Sequence, residues 1–382
     1  MLPINHAVIS SHSVTRPTIV EVNLARLTAN FQAIQTAVAP AKVMVVLKAN
    51  AYGHGLIETA RHLVSVGADY LGVAYLEEGI WLRENGIAAP ILVMGGLLSD
   101  QTPLYLEHDL TVTASSVEKL QQIETAAKHL GVTAKVHLKI DTGMERIGVH
   151  YYSASSLLEA SLACQHCEIE GIYSHFANAD AADLTSARIQ LDRFQEVLQF
   201  YAKRNLPTPM RHIANSGGIL QLPESHLDMV RPGILLYGVY PSVEAQRTVA
   251  VQPTLSWKSR VVYFKVVLPG HPVSYGSTWQ SDVMTRVITV PVGYGDGYFR
   301  SMSGQAEVIV RGRRYRVVGR ICMDQMMVNI DWDSAYNGDE VILLGESGDQ
   351  TISCEQLAAW AGTIPYEILT NINTRVPRVY HW

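Results

Sequence analysis

The stretch "VVLKANAYGHG", residues 45–55, sets Lys48 directly behind an apolar run and ahead of a cluster of turn residues. "VMVVL" reads as a short buried strand, and Gly53 and Gly55 mark the turn that follows it. Lys48 therefore stands near the carboxyl end of that strand. A lysine driven toward a core is either paired with an acid or chemically useful, and the stretch alone leaves both open.

Outward from it, a helical opening at "LARLTANFQAIQTAV" is followed by apolar runs with helical segments between them. The runs are "VMVVLKAN", "YLGVAYL", "PILVMGG", "LTVTAS", "AKVHLKI", "EIEGIYSHF", "MRHIAN" and "DMVRPGILLYG", eight candidate strands by about residue 238. Near-continuous apolar strands alternating with patterns such as "VEKLQQIETAAKHL" indicate parallel strands covered by helices. Eight of them predict an α/β chain with a closed (β/α)8 barrel, a TIM-like barrel. A doubly wound sheet could hold the same elements, but no GxGxxG follows the first strand.

Past residue 245 the style changes to "LSWKSRVVYFKVVL", "TRVITVPVGYG", "AEVIVRGRRYRVVGR" and "DEVILLGE", with "SCEQLAAWAG" as the one helix expected there. The expectation is a barrel over 1–244, its first ~15 residues an N-terminal extension, and a mainly antiparallel β domain over 245–382. At 382 residues the chain exceeds one hydrophobic core, in keeping with two domains. A net charge of -5 argues against nucleic acid or an anionic membrane as partner. No apolar run approaches a membrane span, and the start lacks a basic leader, so a cytoplasmic location is the default. Four cysteines are too few for a disulfide framework. Cys164 and Cys167 form a CxxC, but no second pair or histidine cluster completes a zinc site, so the pair reads as buried or redox-inert and no metal is expected.

In such a barrel the chemistry sits at the carboxyl ends of the strands, with phosphate commonly held after strands seven and eight. Those ends carry Lys48 and Tyr52; Lys139, Asp141 and Arg146; Ser174 and His175; Asn215, Ser216, Gly217 and Gly218; and Arg231 and Gly233. The Asn-Ser-Gly-Gly and Arg-Pro-Gly turns offer N–H groups and a hydroxyl to a phosphate, although tight turns alone would explain them. A barrel lysine beside a phosphate anchor suggests a Schiff base to pyridoxal phosphate. Arg231 would then face the pyridine nitrogen and, having no acceptor, leave it unprotonated; a structural salt bridge is the other reading. His175 could bond Arg231, stack on a ring or fill the barrel mouth.

The motifs "VVLKANAYGHG", "LKIDTGMERIG", "YSHFANAD", "IANSGG", "VRPGILLYG", "PVSYGSTW", "VPVGYGDGY", "GRICMDQMMV" and "RVPRVY" resemble the alanine racemases, in order and from about residue 16 onward. The resemblance implies a fold-type III pyridoxal 5'-phosphate enzyme that interconverts L- and D-alanine and supplies D-alanine for peptidoglycan. It also implies a homodimer whose site joins one subunit's barrel to the partner's β domain. By motif, Lys48 is similar to the lysine that binds the cofactor and acts as one base, and Tyr275 to the second catalytic residue, from the other subunit. Tyr52, Ser216 and the backbone at Gly233 and Ile234 resemble the phosphate ligands, with Asn215 nearby. Arg231 resembles the pyridine-facing residue, and His175 its support. Arg146 and the Met323 backbone look like the substrate-carboxylate ligands, and Lys139 like a lysine often carried as a carbamate. Tyr294, Asp180 and Arg300 match the family's entry corridor. Thr374 stands where several members have a tyrosine, which predicts a roomier pocket that admits serine.

Racemisation needs proton removal on one face of the α-carbon and delivery on the other, and Lys48 and Tyr275 supply the two groups. Both ordinarily titrate near 10, so a base working near neutrality needs a shift of roughly three units, about 4 kcal/mol. The rival readings are a fold-type III decarboxylase, which would place a glutamate where Arg231 stands, and a non-catalytic pyridoxal phosphate carrier, which would resemble the barrel alone.

Overall fold

Parallel strands expose no face to water, and the barrel strands are apolar for that reason. In the computed structural model, which describes residues 15–382, they are β1 (Lys42–Val46), β2 (Tyr70–Val73), β3 (Ile91–Val93), β4 (Thr111–Ala114), β5 (Ala134–Asp141), β6 (Cys167–Tyr173), β7 (Met210–His212) and β8 (Met229–Val230). The expected N-terminal extension, and with it the chain's start, lies outside the described residues. The sheet order is β8-β1-β2-β3-β4-β5-β6-β7, every pair parallel. No ladder joins β7 to β8, but two backbone bonds bridge the seam: the Asp228 N–H donates to the Arg211 carbonyl (3.1 Å) and the Arg231 N–H to the Ala214 carbonyl (2.9 Å). The Arg211 guanidinium clasps both Asp228 carboxylate oxygens at 2.7 Å across the same seam. The expected TIM-like barrel is thus present and nearly closed.

Its interior is not purely aliphatic. Met44, Tyr70, Leu92, Tyr173 and Met229 form one buried cluster, and the imidazoles of His137 and His212, both fully buried, lie beside it. Tyr173 stacks on His212 with centroids 4.8 Å apart and planes 3° apart. Gly171 on β6 makes the space for His137: a Cβ there would fall 2.6 Å from its ring atoms.

The chain divides into two units, residues 27–252 and residues up to 26 together with 253–382. This differs from a barrel spanning 1–244. The strand Ile19–Asn23 pairs antiparallel with Leu255–Arg260 and parallel with Arg378–His381, so it belongs to the β unit. Strand partners are chosen far along the chain, and five alternating residues before a helix carry no mark of which sheet they join.

The rest of the β unit follows one sheet path: Tyr263–Val267, Thr285–Val290, Met326–Asn329, Arg313–Val318, Glu307–Val310, Glu340–Ser347, Leu255–Arg260, Ile19–Asn23, Arg378–His381. Only the last of these pairings is parallel, so the unit is mainly antiparallel, as expected. The run "LSWKSRVVYFKVVL" is two strands rather than one. The expected helix is Cys354–Ala361, started by the Ser353 hydroxyl, which accepts the Gln356 N–H. A second helix, Pro365–Thr370, was not anticipated, because six residues are too few to show a helical period. At the sheet edge Tyr263, Phe264, Lys265 and Val266 are all exposed. Among the described residues no helix is long and apolar enough to cross a membrane.

The close fit of Gly171 to His137 makes a direct test of the barrel packing. Gly171→Ala should lower stability by about 1–3 kcal/mol, the usual range for overpacking, read from the urea midpoint at unchanged slope.

Candidate active site

Lys48 lies two residues past the end of β1, and the backbone after it does something the sequence does not announce. Ala49, Asn50, Ala51 and Tyr52 all take φ between 51° and 57°, one turn of left-handed helix. For L-residues that conformation costs roughly 1–2 kcal/mol each, so the surroundings must hold it. The Ala51 N–H donates to the Leu47 carbonyl (2.7 Å), Gly53 to Ala49 (3.1 Å) and Gly55 to Asn50 (3.0 Å). The Asn50 Oδ1 accepts the Leu56 N–H at 2.8 Å. Gly53 and Gly55, expected to form the turn, only end it.

Glu78 completes the clamp. It lies in the first turn of the helix Leu76–Glu84, and its Oε1 accepts the Ala49 N–H at 2.7 Å. Its Oε2 accepts the N–H groups of Ala74 (2.8 Å) and Tyr75 (3.3 Å). Sequence reasoning missed Glu78, because an acid in a first helical turn is ordinary.

The polar residues after β7 and β8 form a cradle. The Ser216 Oγ accepts the N–H groups of Gly233 (3.0 Å) and Leu235 (3.3 Å), which leaves its own proton to donate outward. A Cβ on Gly233 would lie 2.5 Å from the Tyr52 hydroxyl, so only glycine lets that phenol reach the turn. Asn215 caps the helix Ser216–Gln221, its Oδ1 accepting the Gly218 N–H at 3.0 Å. Ile234 begins the helical turn after Gly233. Two hydroxyls and a glycine-lined turn suit a phosphate group.

Arg231 is 2% exposed, and its two terminal nitrogens make four hydrogen bonds. It donates to His212 Nδ1 (2.7 Å), the Ser174 carbonyl (2.7 Å), the Ile213 carbonyl (3.1 Å) and His175 Nδ1 (3.2 Å). Burial lowers its pKa to about 10, which leaves it a cation. Because arginine only donates, each histidine nitrogen facing it must be an acceptor, and each ring proton moves to Nε2. His212 Nε2 then donates to His137 Nδ1 at 2.9 Å, and His137 Nε2 stands 3.9 Å from the Glu170 carboxylate. Burial and then the Arg231 charge push His137 down to about 3 and His212 well below its ordinary value, so both stay neutral. This file of imidazoles also escaped sequence reasoning, since His137 and His212 are 75 residues apart.

Around Lys48 the charge is strongly positive. Burial first, then Arg146, and more weakly Arg231, lower its pKa, while Glu78 pulls the other way. Lys139, 5% exposed, is pushed well below its ordinary value by burial and then by Arg231. His175 is held neutral by burial and the same cations. Asp141 resists its own burial by accepting N–H bonds from Gly143, Met144 and Arg146, which shapes the loop bearing Arg146. Such a set favours an anion that also offers a carbonyl to an amine. The residues therefore fit pyridoxal 5'-phosphate and an amino-acid carboxylate.

The other candidates gather in the β unit. Tyr275 is 72% exposed and follows Ser274, whose φ of 69° is held by its hydroxyl donating to the Arg320 carbonyl (2.6 Å). The Tyr294 N–H donates to the Cys322 carbonyl (3.0 Å) and the Gly295 N–H to the Met323 carbonyl (2.9 Å). The loops bearing Tyr275, Met323 and Tyr294 are therefore linked through the residues 320–323. Arg300 opens a separate helical turn, Arg300–Met302. Thr374 is exposed beside Arg375, which bonds Asp296 (2.7 Å) and Asp324 (2.8 Å). Asp180 lies in the barrel unit, its carbonyl accepting the Ser242 hydroxyl.

Comparison with known proteins agrees with this geometry. A family model described as the alanine racemase N-terminal domain matches residues 22–241, and one described as the C-terminal domain matches residues 254–380. The alanine racemase of Carboxydothermus hydrogenoformans is 44% identical over 367 residues, covering 96% of this chain and 100% of the relative. The solved alanine racemase of Clostridium difficile 630 superposes with a TM-score of 0.91 at 38% identity, covering 96% of each chain. A histidine racemase from Leuconostoc mesenteroides subsp. sake superposes with a TM-score of 0.89 at 30% identity, covering 97% of this chain and 99% of that one. With both domains matched and nearly the whole length shared, this chain belongs to the alanine racemase family.

Proposed function

We propose that the chain interconverts L- and D-alanine with pyridoxal 5'-phosphate, as a homodimer whose active sites each combine Lys48 of one subunit with Tyr275 of the other. The observation that carries it is Lys48, desolvated and flanked by cations, beside the Tyr52, Ser216 and Gly233 cradle. Pyridoxal 5'-phosphate, when bound, supplies the electron-withdrawing system that loosens the α-proton of the bound amino acid. The rest falls to the protein. Tyr52 and Ser216 hold the phosphate, with the turn at Asn215, Gly233 and Ile234 shaping their approach. Arg231 can only donate, so it would leave a cofactor ring nitrogen set against it unprotonated, which would favour return of the proton over side reactions. His212 and His175 hold that guanidinium in place.

Arg146 and the Met323 backbone bind the substrate carboxylate. Lys48 Nζ takes or returns the proton on one face, and Tyr275 Oη on the other. Lys139 is carried as a carbamate, which turns a buried cation among Arg231 and Arg146 into their partner. Tyr294, Asp180 and Arg300 border the route in.

The exposed edge supports the dimer. Tyr263, Phe264, Val266 and Leu268 stay 47–56% exposed, beside a groove of about 660 Å³ lined by Tyr275 among others. A patch of that kind favours a protein partner. All four cysteines are free, which fits a cytoplasmic setting. Thr374 favours a second, broader specificity that includes serine. Interconversion of serine at a measurable rate in a chiral assay supports it, and turnover of alanine alone removes it.

Tyr275→Phe should cut racemisation by about 10²–10⁴-fold, the usual share of a proton-transferring group, while pyridoxal 5'-phosphate uptake is unchanged. Mixed with Lys48→Ala chains, it should recover about a quarter of wild-type activity, because half of randomly paired dimers hold one intact site. No recovery after subunit exchange would place both residues in one chain. Borohydride reduction of the loaded enzyme should fix the cofactor on the Lys48 peptide.

Glu78 yields a pH prediction. Its charge raises the Lys48 pKa against burial, Arg146 and Arg231. Glu78→Gln removes that charge, so the free amine persists to lower pH. The pH at half-maximal rate of cofactor capture by the cofactor-free protein should fall relative to wild type. An unchanged profile with only a stability loss would reduce Glu78 to a clamp.

A further inference from the structure

The racemase chemistry leaves the CxxC of Cys164 and Cys167 without a role. No second cysteine pair or histidine cluster accompanies it in the sequence, but the fold brings a carboxylate to it from 40 residues upstream. One Glu124 carboxylate oxygen and the two sulfurs lie within 4.8 Å of one another, all three residues half-buried. Glu124 sits in the helix Val117–Leu130. Cys164 follows the helix Ser155–Leu162, and Cys167 begins β6.

The turn between the cysteines is fixed at several points. The N–H groups of Gln165 (3.0 Å) and His166 (3.0 Å to one oxygen, 3.1 Å to the other) donate to the Glu124 carboxylate. The His166 carbonyl accepts the Ala134 N–H at 2.9 Å, which ties the turn to the start of β5. Cys164 Sγ rests on the Ala160 carbonyl at 3.5 Å. These bonds orient the carboxylate and the sulfurs before any ligand arrives.

We propose that Glu124, Cys164 and Cys167 form a binding site for a divalent transition-metal cation, zinc by preference, with water as fourth ligand. Two sulfurs and a carboxylate oxygen match the borderline softness of zinc and exclude magnesium or calcium. Tetrahedral bonds of about 2.0–2.3 Å place ligand atoms about 3.5–3.8 Å apart, so the set needs to contract by about 1.3 Å at most. On binding, each thiol releases its proton to solvent and both sulfurs ligate as thiolates, which leaves one zinc, two thiolates and one carboxylate with a net charge of -1. A redox pair is the competing use of a CxxC. Such pairs need an electropositive setting that ionises a thiol, and a neighbouring carboxylate does the reverse. The site lies at the amino end of β6, whereas Ser174 and His175 follow that strand's carboxyl end, so metal binding staples the barrel exterior and takes no part in racemisation.

The test uses the full-length holoenzyme after treatment with a chelator. Co²⁺ titration should give a thiolate-to-metal charge-transfer band that saturates at one equivalent per chain and is abolished by one equivalent of Zn²⁺. The Cys164→Ser/Cys167→Ser double variant should lose the band yet keep full racemase activity, which certifies its fold, and Glu124→Gln should weaken binding more than tenfold. In the wild-type protein Zn²⁺ should protect both cysteines from alkylation, read by peptide mass. Absence of the band at stoichiometric Co²⁺, its persistence in the double variant, or alkylation of both cysteines unaffected by Zn²⁺ overturns the proposal.

Discussion

The buried guanidinium of Arg231 is the constraint on which the barrel site depends. A cation that is 2% exposed carries a large desolvation penalty that hydrogen bonds must offset, and the partners of its terminal nitrogens come from the ends of β6 and β7. Its own backbone N–H spans the β7–β8 seam. The same residue therefore helps close the barrel where no ladder does and fixes which nitrogen of the histidines beside it carries the proton. Because arginine donates and never accepts, polarity runs one way from Arg231 through His212 and His137 toward Glu170. Tyr70 and Thr111 complete the far end by bonding the same carboxylate.

Strain is concentrated beside Lys48. Four consecutive left-handed residues after Lys48 persist because Asn50, Glu78 and the glycines that follow bond them from both sides. Residues in such conformations cluster where a backbone must be held against its preference, and here it carries the Lys48 amine and the Tyr52 phenol four residues apart. Glu78 serves both needs, since the carboxylate that holds the turn is also the negative charge that tempers the cations around Lys48.

The two units contribute different kinds of group. The barrel unit concentrates cations and the turn of Tyr52, Ser216 and Gly233, buried and interlocked. The β unit presents Tyr275 and Met323, 72% and 53% exposed, on hydrogen-bonded loops.

Much of this was legible in the sequence. Apolar runs with helical spacers dictated a parallel barrel, and they put polar residues, Lys48, Tyr52, Ser216 and Arg231 among them, at the carboxyl ends, which strand polarity collects on one rim. The change after residue 245 announced the β domain. What the sequence could not carry were relations between distant residues. The strand Ile19–Asn23 joins the β unit, and Glu78 reaches Ala49. His137 and His212 pair inside the barrel, and Glu124 comes up beside Cys164 and Cys167. Each looks ordinary in its own neighbourhood: a short strand, a first-turn acid, a buried imidazole, a surface glutamate. Local pattern sets which elements form and which residues end them. Which of those residues meet, and so which proton sits where, is decided by the closing of the barrel and the sheet, through bonds between residues that sequence distance keeps apart.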